Sequence, residues 1–227
     1  MVLNMLLSGN LRDGLIMLLM WLPIVILSLS VHESAHAYIA YRLGDPLARN
    51  LGRISLNPAK HLDPIGFASM LFLGIGWAKP VPINARNFEN PRKGMALSSL
   101  AGPVSNLILA VIFAFLFAAS ELFWWRTEYL STAYTVLLYV ARFFYYGVVL
   151  NVSLAVFNLI PLPPLDGYHV FNDLILKGKL FLSDKAFRIG MLIVLILSAQ
   201  GILGDIISAV VYPAQDLLLT PIKMIWG

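Results

Sequence analysis

The chain has 227 residues, 59% of them hydrophobic and 12% charged, with a formal net charge of +4. Soluble domains carry about 25% charged residues, so the composition is that of an integral membrane protein, with no room for a large soluble partner domain. The sequence has no cysteine, which excludes disulfides, thiolate zinc sites and cysteine nucleophiles and leaves histidine and carboxylate as the ligands for any metal. The basic residues sit beside the apolar runs, where they report membrane topology rather than an affinity for nucleic acid.

In chain order, Gly14 to Val31 is a run of 18 residues without a charge, and its apolar pattern continues to Tyr41. That length crosses a hydrocarbon core of about 30 Å, and Pro23 predicts a kink within it. The run has little positive charge ahead of it beyond Arg12 and no small-x-small cleavage site after it, so it reads as a retained span rather than a signal peptide. Further uncharged runs cover Ser99–Ser120, Phe143–Leu165 and Ile189–Gly204. The expected architecture is all-α, with four transmembrane helices over about 14–41, 97–120, 136–162 and 187–211 in a single domain. A re-entrant or β-hairpin-like segment is expected within 42–96, between helices one and two.

Lysine and arginine dominate 42–98, whereas the stretch after the second span has Arg126 alone against Glu121 and Glu128. The third connection again carries Lys177, Lys179, Lys185 and Arg188. The positive-inside rule therefore puts the first and third connections in the cytoplasm and both termini outside. Span one then runs inward, span two outward and span three inward. Three polar clusters should meet at the cytoplasmic side: His32-Glu33-x-x-His36, Gly102-Pro103-x-x-Asn106 and the stretch from Asn158 to Asp166-Gly167.

The first of these carries the clearest chemistry. Residues four apart share a helix face, so His32 and His36 can hold one ion between them. Glu33, beside the first ligand, is placed to act as general base on a zinc-activated water. A catalytic zinc site usually has three protein ligands and an open position. Asp166, freed from helical geometry by Leu162-Pro163-Pro164, is the natural third; an ordinary Asp-Gly turn is the alternative, and His169 competes for the ligand role. Asn106 and Asn158 are polar residues in apolar spans. Each either bonds neighbouring helices or serves the substrate and its developing oxyanion.

In this order the motifs resemble the site-2 protease family of intramembrane zinc metalloproteases, peptidase type M50. The stretches Gly52-Arg-Ile-Ser-Leu-Asn-Pro58 and Gly76-Trp-Ala-Lys-Pro-Val-Pro-Ile-Asn84 look like its short prokaryotic branch, which lacks a PDZ or nucleotide-sensing domain. The resemblance covers about residues 15 to 175. It implies regulated intramembrane proteolysis by a multi-pass protein of the cell membrane, cutting single-span membrane proteins near the cytoplasmic face. It matches His32, His36 and Asp166 to the ligands of one Zn2+, Glu33 to the general base, and Asn106 and Asn158 to the family's asparagines. The proline-punctuated Lys79-Pro80-Val81-Pro82-Ile83 suits an extended edge, and Lys79, Val81 and Ile83 are the expected clamp for an unwound substrate strand. Two rivals remain at this stage: a membrane metal carrier, and a catalytically silent relative that binds transmembrane helices. The oligomeric state is not legible.

Overall fold

In hydrocarbon only intrahelical hydrogen bonds satisfy every backbone group of a single segment, and the long uncharged runs fold accordingly. The computed structural model describes residues 11–73, 76–129, 131–180 and 183–226, and no strand occurs among them. The α-helices are α1 (Leu11–Arg42), α2 (Leu47–Asn50), α3 (Pro64–Leu73), α4 (Pro91–Trp124), α5 (Thr132–Asn158), α6 (Asp166–Val170), α7 (Asp184–Ala199) and α8 (Ile202–Trp226). Four of them, α1, α4, α5 and α8, contain segments long and apolar enough to cross a membrane. Pro23 lies inside α1 without ending it.

The ends of these helices are written in the sequence. Asn90 accepts from the Lys93 N–H at 3.1 Å to cap α4, with Pro91 in the first turn. Ser131 does the same for α5 through the Tyr134 N–H, at 3.1 Å. Both are side-chain acceptors for helical N–H groups that lack a partner.

The centre of the bundle is the packing of α1, α4 and α5 on one another, with α8 against α4 and α5. Small residues make that approach close. Ala110, Ala114 and Ala118 on α4 are buried, and Gly147 on α5 lies so near Phe113 that a Cβ there would sit 2.4 Å from the ring. Helices in lipid gain little from the hydrophobic effect and rely on such backbone proximity. The opposite face of α4 exposes Ile108, Ile112 and Phe115, which suits hydrocarbon chains as solvent.

The C-terminal third differs from the single span expected over 187–211. The chain there forms α7 and α8, which meet at Gln200 and Gly201, the latter at φ +80°. Gly201 adopts the left-handed conformation that ends helices, and it does so inside the apolar run. The 16 residues of α7 reach about 24 Å, short of a span, and the membrane-length segment is Ile202–Thr220.

Between α1 and α4 the chain makes one isolated antiparallel bridge, Leu62 with Ala78, beside α3. Asp63 caps α3, its Oδ1 accepting from the N–H groups of Ile65 at 3.0 Å and Gly66 at 2.8 Å. Of the expected re-entrant segment, Gly74 and Ile75 lie outside the described residues.

Candidate metal centre

His32 and His36 lie one turn apart on α1 and are both buried. Their Nε2 atoms are 3.0 Å apart, and Asp166 Oδ2 stands 3.2 Å from the first and 3.3 Å from the second. Three ligands at about 2.0–2.1 Å from a tetrahedral zinc would be about 3.3 Å apart, so the observed triangle has the size of one face of such a site. The three atoms are the one His/Asp/Glu grouping among the described residues whose ligand atoms close on a common point.

Two further observations fit a metal ion. Asp166 Oδ2 is buried and accepts no hydrogen bond of proper geometry, although two imidazole nitrogens flank it. An ionised oxygen in that state needs another source of positive charge. The imidazoles are also turned by their far nitrogens. His32 Nδ1–H donates to Asn106 Oδ1 at 2.5 Å, and His36 Nδ1–H donates to the Ser98 carbonyl at 2.7 Å. With Nδ1 protonated, the lone pair of a neutral ring lies on Nε2, facing Asp166.

The elements that supply these residues are shaped for close approach. Gly102 of α4 passes against both rings, so that a Cβ would lie 2.4 Å from His36 Nε2 and 2.6 Å from His32 Nε2. Any side chain there would occupy the ligand space, which is the physical reason for glycine in Gly102-Pro103-x-x-Asn106. Asp166 opens α6 after the proline-rich turn, and a Cβ on the next residue, Gly167, would strike the Leu159 carbonyl oxygen at 2.3 Å. Helix α7 braces that turn: Gly190 lies against Pro163, where a Cβ would meet its carbonyl oxygen at 2.5 Å, and Val194 packs with Leu165 and Leu203.

Asn106 is fully buried and engaged at both ends of its amide. Besides His32, its Nδ2 donates to Asn151 Oδ1 at 2.9 Å, and Asn151 Nδ2 donates to the Gly147 carbonyl at 2.8 Å. Asn106 thus bonds to α1 and α5 at once, with His32 at one end of its amide. Asn158 donates to the Leu154 carbonyl of its own helix at 2.9 Å. His169 stands apart from the cluster, half-exposed, with Nδ1 3.5 Å from Asp173 Oδ2. Glu33 is half-buried on α1, one residue from His32. In the connection, Lys79 is exposed while Val81 and Ile83 are half-buried.

Two participants were not singled out from the sequence. Asn151 carries the same signal as Asn106, an amide in an uncharged run, and extends the His32 network to a third helix. Arg53 counts as a topology-reporting cation in sequence, yet it is buried, 5% exposed.

Known proteins resemble the chain as follows. The profile of Peptidase family M50 matches residues 130–199. The chain is 41% identical over 195 residues to "Putative zinc metalloprotease YwhC" of Bacillus subtilis, covering 86% of this chain and 87% of the relative. It is 31% identical over 153 residues to "Putative zinc metalloprotease Rip2" of Mycolicibacterium smegmatis, covering 63% of this chain and 52% of the relative. The Mycobacterium tuberculosis Rip2 is 29% identical over 199 residues, covering 85% of this chain and 71% of the relative. No solved structure matches the chain.

Proposed function

The chain belongs to peptidase family M50, the site-2 proteases, and is a multi-pass membrane zinc metalloprotease; from that premise we propose that it hydrolyses peptide bonds of single-span membrane proteins near the cytoplasmic face of the cell membrane. In this reading the whole chain is one peptidase domain. His32, His36 and Asp166 hold one zinc ion, and Glu33 is the general base. The observation that carries the assignment is the unpaired, buried Asp166 Oδ2 facing two Nε2 atoms whose far nitrogens are already committed.

Zinc, when bound, supplies Lewis acidity that polarises a peptide carbonyl and lowers the pKa of water toward about 7. The protein's own groups do the rest. Asn106 and Ser98 hold the two imidazoles in the tautomer that can ligate. Glu33 takes a proton from the attacking water and returns it to the leaving amide nitrogen, a service worth about 10²–10⁴ in rate. The Lys79–Ile83 segment receives the unwound substrate strand at its edge, which exposes the scissile bond that a helix hides. The cytoplasmic orientation rests on the basic 42–98 connection and the positive-inside rule.

Purified protein loaded with zinc, incubated with a synthetic single-span substrate, tests this directly. Wild type should cleave, and Glu33→Gln should lose about 10²-fold or more of turnover while keeping its zinc. Equal cleavage by both would remove Glu33 from the mechanism. A metal carrier would instead move zinc across vesicles equally well in both forms, because transport needs the ligands and no base.

A further inference from the structure

Arg53 is the one buried lysine or arginine among the described residues, and a buried cation needs partners. Its Nη2 donates to the Lys79 carbonyl, while its Nε is buried with no hydrogen-bond partner. Burial works against its charge and the Glu33 carboxylate works for it. Arg53 thus ties its own buried charge to the connection at Lys79.

The other side of Lys79 is fixed as well. Its N–H donates to the His61 carbonyl at 2.7 Å, next to the Leu62–Ala78 bridge, so both backbone polar groups of Lys79 turn to the same interior side. Lys79 and Val81 each precede a proline, which forces them into extended geometry. Pro80 and Pro82 carry no N–H, so Val81 and Ile83 hold the free N–H groups of this stretch. Among the described residues no acceptor pairs with the N–H of Val81 or Ile83. The far end is tied by Asp45, whose Oδ2 accepts from the Asn84 N–H at 2.7 Å.

We infer that Arg53 is a positioning residue: by pinning the Lys79 carbonyl it fixes the start of the Val81–Ile83 segment, whose N–H groups are unpaired, and sets the register in which a substrate strand pairs with them. This rests on the reading of Lys79–Ile83 as the substrate clamp, and the experiment separates the two.

A photo-reactive side chain at Val81 is combined with wild-type Arg53, Arg53→Ala and Arg53→Lys, using the zinc-loaded full chain and a synthetic single-span substrate. The Arg53→Ala form should keep its zinc, lose the cross-link and raise KM about tenfold, the worth of one charge-assisted hydrogen bond, with kcat within about threefold. Arg53→Lys retains a cationic donor and should recover a large part of both signals. Cross-linking and KM unchanged in Arg53→Ala would overturn the inference. So would loss of zinc and kcat together with no recovery by lysine, since that is a folding role. A wild type that cleaves but never cross-links at Val81 would instead remove the clamp, and the role of Arg53 with it.

Discussion

Asp45 and Asp166 are carboxylates at the same end of α1, and they differ in what meets their oxygens. Asp45 is wholly buried and fully paired: Oδ1 accepts from the Leu47 N–H at 3.1 Å and from Asn87 Nδ2 at 2.6 Å, and Oδ2 from the Asn84 N–H. Asp166 has a buried Oδ2 with no such donor and two imidazole nitrogens beside it. The first carboxylate is a joint, holding the end of α1 to the segment that leads into α4. The second is, in the proposed reading, a ligand. Burial alone does not separate the two; the account of each oxygen does.

The sharpest way to break this contrast is to remove each carboxylate in turn. Asp166→Ala should abolish cleavage and cut zinc content to roughly a tenth or less, since two histidines alone make a poor site. Its thermal unfolding in detergent, measured without zinc, should stay near that of wild type. Asp45→Ala should do the reverse. Three part-buried hydrogen bonds lose their wholly buried acceptor, and the protein should be destabilised by about 2 kcal/mol, seen as a lowered unfolding temperature. Zinc binding of the folded fraction should persist. If Asp45→Ala loses zinc while remaining folded, the division between joint and ligand is wrong.

A smaller effect tests how far the ligand region extends. Asn106→Ala frees His32 to rotate and should weaken zinc affinity about 10- to 100-fold, the usual consequence of losing a residue that orients a ligand. Competition with a chelator reads this directly. Asn151→Ala acts one bond further out and should fall at or below the lower end of that range. A larger loss from Asn151 than from Asn106 would show that the amide chain does not run as Asn151–Asn106–His32.

How much of this was legible follows the range of each interaction. The His32–Glu33–His36 cluster is local, one turn of one helix, and its spacing suffices. Asp166 is 130 residues beyond His36, yet counting spans places the two at one end of the bundle, where they do lie together, so this long-range neighbour was accessible through topology. Asn151 was not, because the choice between two amides in one apolar helix depends on rotation about its axis, which no charge pattern reports. Arg53 was masked by its company: among many exposed cations, a buried one looks the same in sequence. The break at Gly201 was hidden because Ile202 onward is as apolar as the run before it. The Lys79–Ile83 segment was picked out by its prolines, and beside it the described residues show one isolated bridge and no strand; what holds it, Arg53, His61 and Asp45, lies in connections whose packing is not periodic.

The central claim is that Asp166 completes a zinc site with His32 and His36. Zinc content of monodisperse wild type against Asp166→Asn, which keeps the side chain's shape and removes its charge, tests it most directly. About one zinc per chain in wild type and roughly a tenth or less in the variant is the expected result. Equal zinc in the two proteins would contradict it.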